Sequence, residues 1–459
     1  MPALSRTCRP QIPPPPVVLS RPFAYYEGLS GNTTMLVFML NKNSRLYSFL
    51  FASSLGTFLE FFDLALYSFA SSIIAKHFFP AGNPTVAVLA TWGIFAVSYL
   101  MRPLGAVWFG HLADAKSSKS AMVISMSMMA VATTGIGLLP SYATIGLWAP
   151  IILLALRIMQ SIAVSPEYNL PSVFIKNNQW CSKHFGFVSS ISACVTGLGM
   201  MSASWVMSKM LANYSLASMP EFQWRWPFIV AGILVGTLGI YLRWNLDESL
   251  IIARPKAVPL KLVLTKQSTD FLQAVFITGY VGCMSYALFG FLVHQLQAVK
   301  LLHPGDALRV LGHGSLLPAI FSLIAGYLSD KITRNFLMLI SAMCMGVSGY
   351  YLFAGLHSME LSQTITATCI MLASLGFFAG SFPGYLAELF ATEYRYTATF
   401  LAYNIGMSWV GGMSPLLFIN ISKQHYIWPA VIIAVYSSLV ALLVAKPLVT
   451  FADRSPKMV

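Results

Sequence analysis

From about residue 46 onward, stretches of 20 or more mostly apolar residues alternate with short polar interruptions. A helix rises 1.5 Å per residue, so about 20 residues cross the roughly 30 Å hydrocarbon core of a bilayer. The pattern predicts twelve such helices, at 46–75, 85–109, 121–140, 146–170, 184–208, 225–244, 270–296, 308–328, 335–356, 361–389, 396–421 and 426–447. Several contain Gly or Pro, which membrane helices tolerate when neighbours satisfy the freed backbone groups. Residues 1–34 break the pattern: they are polar and basic, with a PPPP run that favours extended polyproline geometry. No continuous apolar stretch precedes Met35, so no cleavable signal peptide is expected. Two readings of this segment stand, a cytosolic tail without a packed core or an upstream extension of a chain that starts at Met35 or Met39.

The spans divide into an all-α membrane protein of twelve transmembrane helices in two pseudo-symmetric six-helix bundles. The expected parts are a disordered cytosolic segment 1–45, a first bundle 46–244, a linker 245–269, a second bundle 270–447 and a tail 448–459. A repeat supports the division: GHLADAK at 110–116 and GYLSDK at 326–331 each follow the second helix of a half. Two such parallel halves suit a transporter rocking about a central site. Orientation follows the basic residues. Twenty of the 28 Lys and Arg fall on the side that holds both termini, with Arg243 counted in the central loop, against six on the other side. Both termini are therefore expected in the cytosol.

Composition removes the soluble alternatives. The chain is 57% hydrophobic and 9% charged, with a mean hydropathy of +0.69, where a globular protein carries roughly 25% charged residues. The net charge of +13 lies between apolar segments, not along a groove-binding element, so nucleic acid is not an expected partner. The six Cys show no CxxC spacing, and neither a GxxxxGK loop nor an HExxH motif occurs. No metal, cofactor or catalytic residue is expected, and the chain is not read as an enzyme.

The few charges inside the spans carry the candidate chemistry, because a charge at bilayer depth costs at least about 2.5–3.5 kcal/mol. Glu60 and Asp63 are about 300° apart on a helix, hence neighbours, with Tyr67 one turn on. One reading makes them a proton-carrying pair facing the central cavity; the other makes them static partners of Arg102 or Arg157. Arg157, Gln160, Val164 and Glu167 cluster on one face of helix four. Arg157 is a candidate to hold a substrate carboxylate through its planar fork, or a permanent partner of Glu60 or Asp63. Glu167 is read as a second protonation site or a gating residue. The depth of Arg102 suits a cytosolic-side ion pair or gate, while Asp114 is placed to cap backbone amides or pair with a cation. Tyr286, Gln295, Tyr403 and Asn404 supply uncharged hydrogen-bonding groups to the second half of a binding pocket, with ordinary helix contacts as the alternative.

Five stretches carry a family resemblance. The 110–119 loop resembles the major facilitator superfamily signature G-x-L-x-D-R-x-G-R-K. Within that superfamily, GTFLEFFDLALYSF, AVSYLMRPLGAVWFGHL, ATIGLWAPIILLALRIMQSIAV and LAELFATEYRYTATFLAYNIG resemble the metabolite:H⁺ symporters, which include proline/betaine, citrate, 2-oxoglutarate and shikimate importers. The resemblance implies proton-coupled import of a small carboxylate-bearing metabolite or zwitterionic osmolyte across a bacterial inner membrane, by a monomer. It implies proton coupling at Glu60, Asp63 and Glu167. Solute contacts would come from Arg157, Gln160, Tyr67, Tyr286, Gln295, Tyr403 and Asn404. A cytosolic latch would be built from Gly110, Asp114, Lys119 and Arg102, repeated at Gly326, Asp330 and Lys331. Ala115, Ser117 and Ser118 stand where the signature has Arg, Gly and Arg, and Ser165-Pro166-Glu167-Tyr168-Asn169-Leu170 where the family has G-G-E-W-G-G. An exporter or uncoupled facilitator is the first rival, and a transporter-like sensor the second. The import mechanism requires the acidic doublet to line a water-reachable vestibule between the bundles.

Overall fold

A computed structural model describes residues 31–80, 84–177, 182–213, 219–246, 259–292, 310, 312–425 and 427–454. The chain forms two compact units, 1–47 and 48–459, and the features below belong to the second. Eight described helices are long and apolar enough to cross a membrane: Tyr47–Phe69, Ser118–Leu138, Phe185–Leu211, Glu221–Trp244, Ser268–Phe289, Arg334–Ser358, Leu361–Leu389 and Trp428–Ala445. The other four expected spans are occupied by shorter or interrupted helices, and the interruptions have local causes.

The elements are α1 (Gly31–Phe69), α2 (Ser71–Phe78), α3 (Pro84–Leu100), α4 (Arg102–Ala115), α5 (Ser118–Leu138), α6 (Trp148–Ala163), α7 (Leu170–Asn177), α8 (Phe185–Asn213), α9 (Glu221–Val230) and α10 (Gly236–Trp244). They continue as α11 (Pro259–Lys266), α12 (Ser268–Tyr286), α13 (Leu316–Ser329), α14 (Arg334–Ser358), α15 (Leu361–Leu389), α16 (Arg395–Ile405), α17 (Ser414–Gln424) and α18 (Trp428–Arg454). The second span is cut into α3 and α4 just before Pro103, whose ring lacks an N–H and suits the first turn of a new helix. The fourth is cut by a turn over residues 164–169, which contains Pro166. Single π-helical turns at Ala231–Val235, Ala287–Phe291 and Gly406–Gly411 interrupt three further spans. Bulges of this kind are frequent at functional sites.

At both ends helix extends past the expected span limits. Residues 31–45 are the first turns of α1, not structureless chain. The tail begins as a continuation of α18 through Arg454. The proline-rich start and residues 247–258 of the linker lie outside the described residues.

Between the halves, α4 packs on α16, and α8 on α13 and α15. Small residues permit the approach. A methyl group on Gly110 would sit 2.6 Å from the Thr397 Cα, and one on Gly326 would strike the side chain of Ser190. Leu104, Trp108, Val131, Leu138 and Leu442 remain exposed, as an outer surface solvated by lipid requires.

Candidate functional site

Four residues of α1, Gly56, Glu60, Asp63 and Tyr67, recur every three or four positions and share one face. Between them they meet three arginines, each drawn from a different helix. Tyr67 places its ring under the Arg157 guanidinium, 3.4 Å from centroid to Cζ. Asp63 Oδ2 accepts from Arg157 Nη1 at 2.6 Å. One turn further toward the N-terminus, Glu60 Oε1 accepts from Arg102 Nη2 at 3.1 Å, and Arg102 stacks on Tyr99. Beside Gly56, Glu167 takes both Nη groups of Arg243 at 2.8 and 2.6 Å. All six charged side chains are buried. Three ion pairs thus descend the interior of the first half.

They differ in how completely they are satisfied. Glu167 also accepts from the Ser125 hydroxyl at 2.5 Å, and Arg243 donates to the Met122 and Ala52 carbonyls. Both Asp63 oxygens are used, the second by Gln160 Nε2 at 2.9 Å. Gln160 in turn reaches Thr133 Oγ1 and accepts from Arg157. By contrast, Glu60 Oε2, Arg102 Nε, and Arg157 Nε and Nη2 are buried without a hydrogen-bond partner. An orphaned polar group costs about 1–3 kcal/mol, and more when charged. The upper two pairs therefore hold spare bonding capacity.

Glu167 sits in the most closed of the three settings. Glu167 is held bidentately by a guanidinium that also donates to two backbone carbonyls, which makes it the most fully bonded of the three carboxylates. Arg243, counted above as a loop cation, supplies that guanidinium. Its position inside the expected span 225–244 was the signal to read.

Glu60, Asp63, Arg102, Arg157 and Gln160 line a polar cleft of about 20 Å³, walled entirely by first-half residues. The larger cavity, about 80 Å³, lies between the halves and takes its walls from α1, α8, α12, α13, α15 and α16 together with Tyr168. Leu64 lines both spaces. The doublet therefore opens onto a side cleft, not onto the vestibule between the bundles, because the ion pairs turn both carboxylates inward.

The expected solute contacts separate accordingly. Tyr286 and Tyr403 line the central cavity. Arg157 and Gln160 line the side cleft, and Tyr67 packs against Arg157. Asn404 spans the halves by donating to the Ser165 carbonyl at 2.8 Å. Gln295 lies outside the described residues. Sequence reasoning missed two contacts across the halves. Tyr168 stacks on Tyr403 at 4.9 Å and 10°, and Tyr286 donates its hydroxyl to that of Tyr99 at 2.9 Å.

At the end expected to face the cytosol, two aspartates repeat one device. Asp114 accepts the Tyr396 and Thr397 amides at the start of α16, at 3.2 and 2.8 Å. Asp330 accepts the Gly186 and Phe187 amides at the start of α8, at 2.6 and 3.0 Å. Helix N-termini carry unpaired amides and a positive dipole end, so each carboxylate joins its own half to the other. Glu388 adds ion pairs to Lys176, at 2.8 Å, and to Arg334. Not every expected latch residue joins. Arg102 is committed to Glu60, and Lys331 donates to Tyr327 of its own half.

Residues 53–415 match the sequence profile of the Major Facilitator Superfamily. The proline/betaine transporter of Escherichia coli (strain K12) is 28% identical over 404 residues, covering 83% of this chain and 79% of that one. A putative metabolite transport protein of Haemophilus influenzae is also 28% identical, over 411 residues, with 84% and 90% covered. The solved structure of the proton:xylose symporter XylE bound to 6-bromo-6-deoxy-D-glucose superposes with a TM-score of 0.73 at 15% identity, covering 88% of this chain and 96% of that one.

Proposed function

Because this chain belongs to the Major Facilitator Superfamily, whose members are secondary transporters and not enzymes, we propose that it imports a small carboxylate-bearing or zwitterionic metabolite together with protons. The named relatives support this class: one carries the name proline/betaine transporter and another that of a metabolite transport protein. Because the acidic doublet does not line the vestibule that the import mechanism was expected to require, the reading rests instead on the spare capacity of the upper ion pairs. Glu60 Oε2 and three guanidinium nitrogens of cleft-lining residues stand unpartnered, and that cleft shares Leu64 with the central cavity.

In this reading Asp63 and Gln160 hold Arg157 with Nη2 and Nε free for a solute carboxylate. Glu60 takes up a proton when the arriving anion shifts the local charge balance, which loosens its bond to Arg102. The proton and solute then cross together. A membrane potential adds about 2.3 kcal/mol per charge per 100 mV. The protein acts as a monomer in a bacterial inner membrane, with both termini in the cytosol.

Proteoliposome uptake under an imposed pH gradient tests this. Glu60→Gln is expected to keep solute binding and exchange but lose gradient-driven accumulation. Arg157→Lys is expected to weaken solute binding about tenfold, because an ammonium cannot reproduce the planar two-donor fork. Undiminished pH-driven uptake in both Glu60→Gln and Asp63→Asn would end the proposal. Flux that only equilibrates, in the unaltered protein, would make it a facilitator.

A further inference from the structure

The two spaces of the site differ in chemistry as sharply as in size. The side cleft, at about 20 Å³, has room for little more than one water molecule. The central cavity is about four times larger, yet no charged side chain lines it. Its walls are Phe61, Leu64, Met200, Val281, Phe289 and Leu375 with like neighbours, and beyond the tyrosines only Thr196 and Ser285 offer hydroxyls.

From this division we infer that the transported solute carries a single carboxylate on an apolar body, aromatic or branched aliphatic. This deepens the import reading and rests on it. The carboxylate would reach the Arg157 fork past Leu64, while the body fills the apolar cavity. A second or third carboxylate would have to lose its water with no cation in the cavity to meet it, and that cost excludes di- and tricarboxylates.

The ring geometry also disfavours a compact quaternary ammonium. Cations bind over aromatic faces, where the quadrupole is negative, and are repelled by ring edges. Tyr168 and Tyr403 turn a face toward each other, and Phe61 meets Tyr168 in a T arrangement at 6.2 Å. Tyr286 is held against Tyr99 both by its hydroxyl and by a T contact. These rings are engaged with one another instead of converging as a cage. A flat or branched hydrocarbon needs no such convergence, only dry apolar wall, and that is what the cavity offers.

The full chain supplies two independent readouts, thermal stabilisation of the detergent-solubilised protein and solute-triggered proton influx into proteoliposomes. The panel is phenylalanine, leucine, phenylacetate, proline, glycine betaine, 2-oxoglutarate and citrate. Phenylalanine, leucine or phenylacetate is expected to stabilise the protein and to trigger influx at concentrations at least about tenfold below those needed for betaine or citrate. Stabilisation by proline or betaine without the apolar solutes overturns the inference and leaves proton-coupled import standing. Stabilisation by apolar solutes with no proton influx does the reverse. Stabilisation by no member of the panel also overturns the inference. A Val281→Thr variant, which replaces one wall methyl by a hydroxyl, is expected to weaken the apolar solutes severalfold. Unchanged concentration dependence in that folded variant would place the body of the solute elsewhere.

Discussion

Gly56 shows how much a missing side chain can decide. A methyl group there would collide with Glu167 Oε2 and Arg243 Nη2, the two atoms that close the lowest ion pair. Neither charge has another place to go, because both are buried. Breaking such a pair costs about 3–5 kcal/mol, since each charge is left uncompensated in a low-dielectric interior. Gly56→Ala is therefore expected to lower the thermal unfolding temperature and the folded yield in detergent. Gly93→Ala, with nothing within 4 Å of the added carbon, is expected to do neither. Equal behaviour of the two variants would mean that the Glu167–Arg243 pair carries no stability. The carboxylates of these three buried ion pairs thus have unequal settings, which their residue type alone does not reveal. Glu167 is saturated, Asp63 holds Arg157, and Glu60 keeps an oxygen free.

Among the elements, the start of α16 against the end of α4 is the contact most open to titration. Asp114 lies beyond the expected span 85–109, and burial pushes its carboxyl up from 3.8 to about 7; the Thr397 and Tyr396 hydrogen bonds and the nearby Arg395 charge only partly oppose this. Freed into water, the group returns toward its ordinary value. The closed arrangement therefore binds a proton that the open one releases. Its contribution to closure is full below 3.8 and is lost as pH rises through about 7. Raising the pH on that side from about 6 to about 8 is expected to speed hydrogen exchange at the Tyr396 and Thr397 amides. Asp114→Asn is expected to flatten the response, because the amide does not titrate. Exchange that slows with pH, after correction for intrinsic rates, would contradict the assignment. The second span illustrates what was readable at this scale. Drawn as one helix over 85–109, it breaks just before Pro103 and runs on through Ala115, so only its approximate place was legible. The partner of Asp114, 283 residues along the chain at Thr397, was not.

For the whole molecule, closure at the latched end rests on contacts that repeat across the halves: Asp114 to α16, Asp330 to α8, and Glu388 to Lys176. Opening requires all of them to separate. Cysteines introduced at Lys176 and Glu388 and bridged by a short bis-maleimide are expected to stop transport while sparing solute binding from the other side. Transport that continues through the bridged protein would show that this end need not open. The all-helical membrane character and the places of the long apolar segments were readable in advance. Each depends on properties summed over about 20 neighbouring residues, and the insertion of a helix into a bilayer is decided by that local sum. So was the presence of buried charge, because a carboxylate in GTFLEFFDLALY has no exposed place to go. Which guanidinium each carboxylate meets is a different kind of fact. It depends on how α1, α4, α6 and α10 pack side by side, and helices far apart in the chain leave no local trace of their register. The split into a charged side cleft and an uncharged central cavity follows from that packing, since the ion pairs draw the charges inward and leave aromatic and aliphatic side chains to line the central cavity.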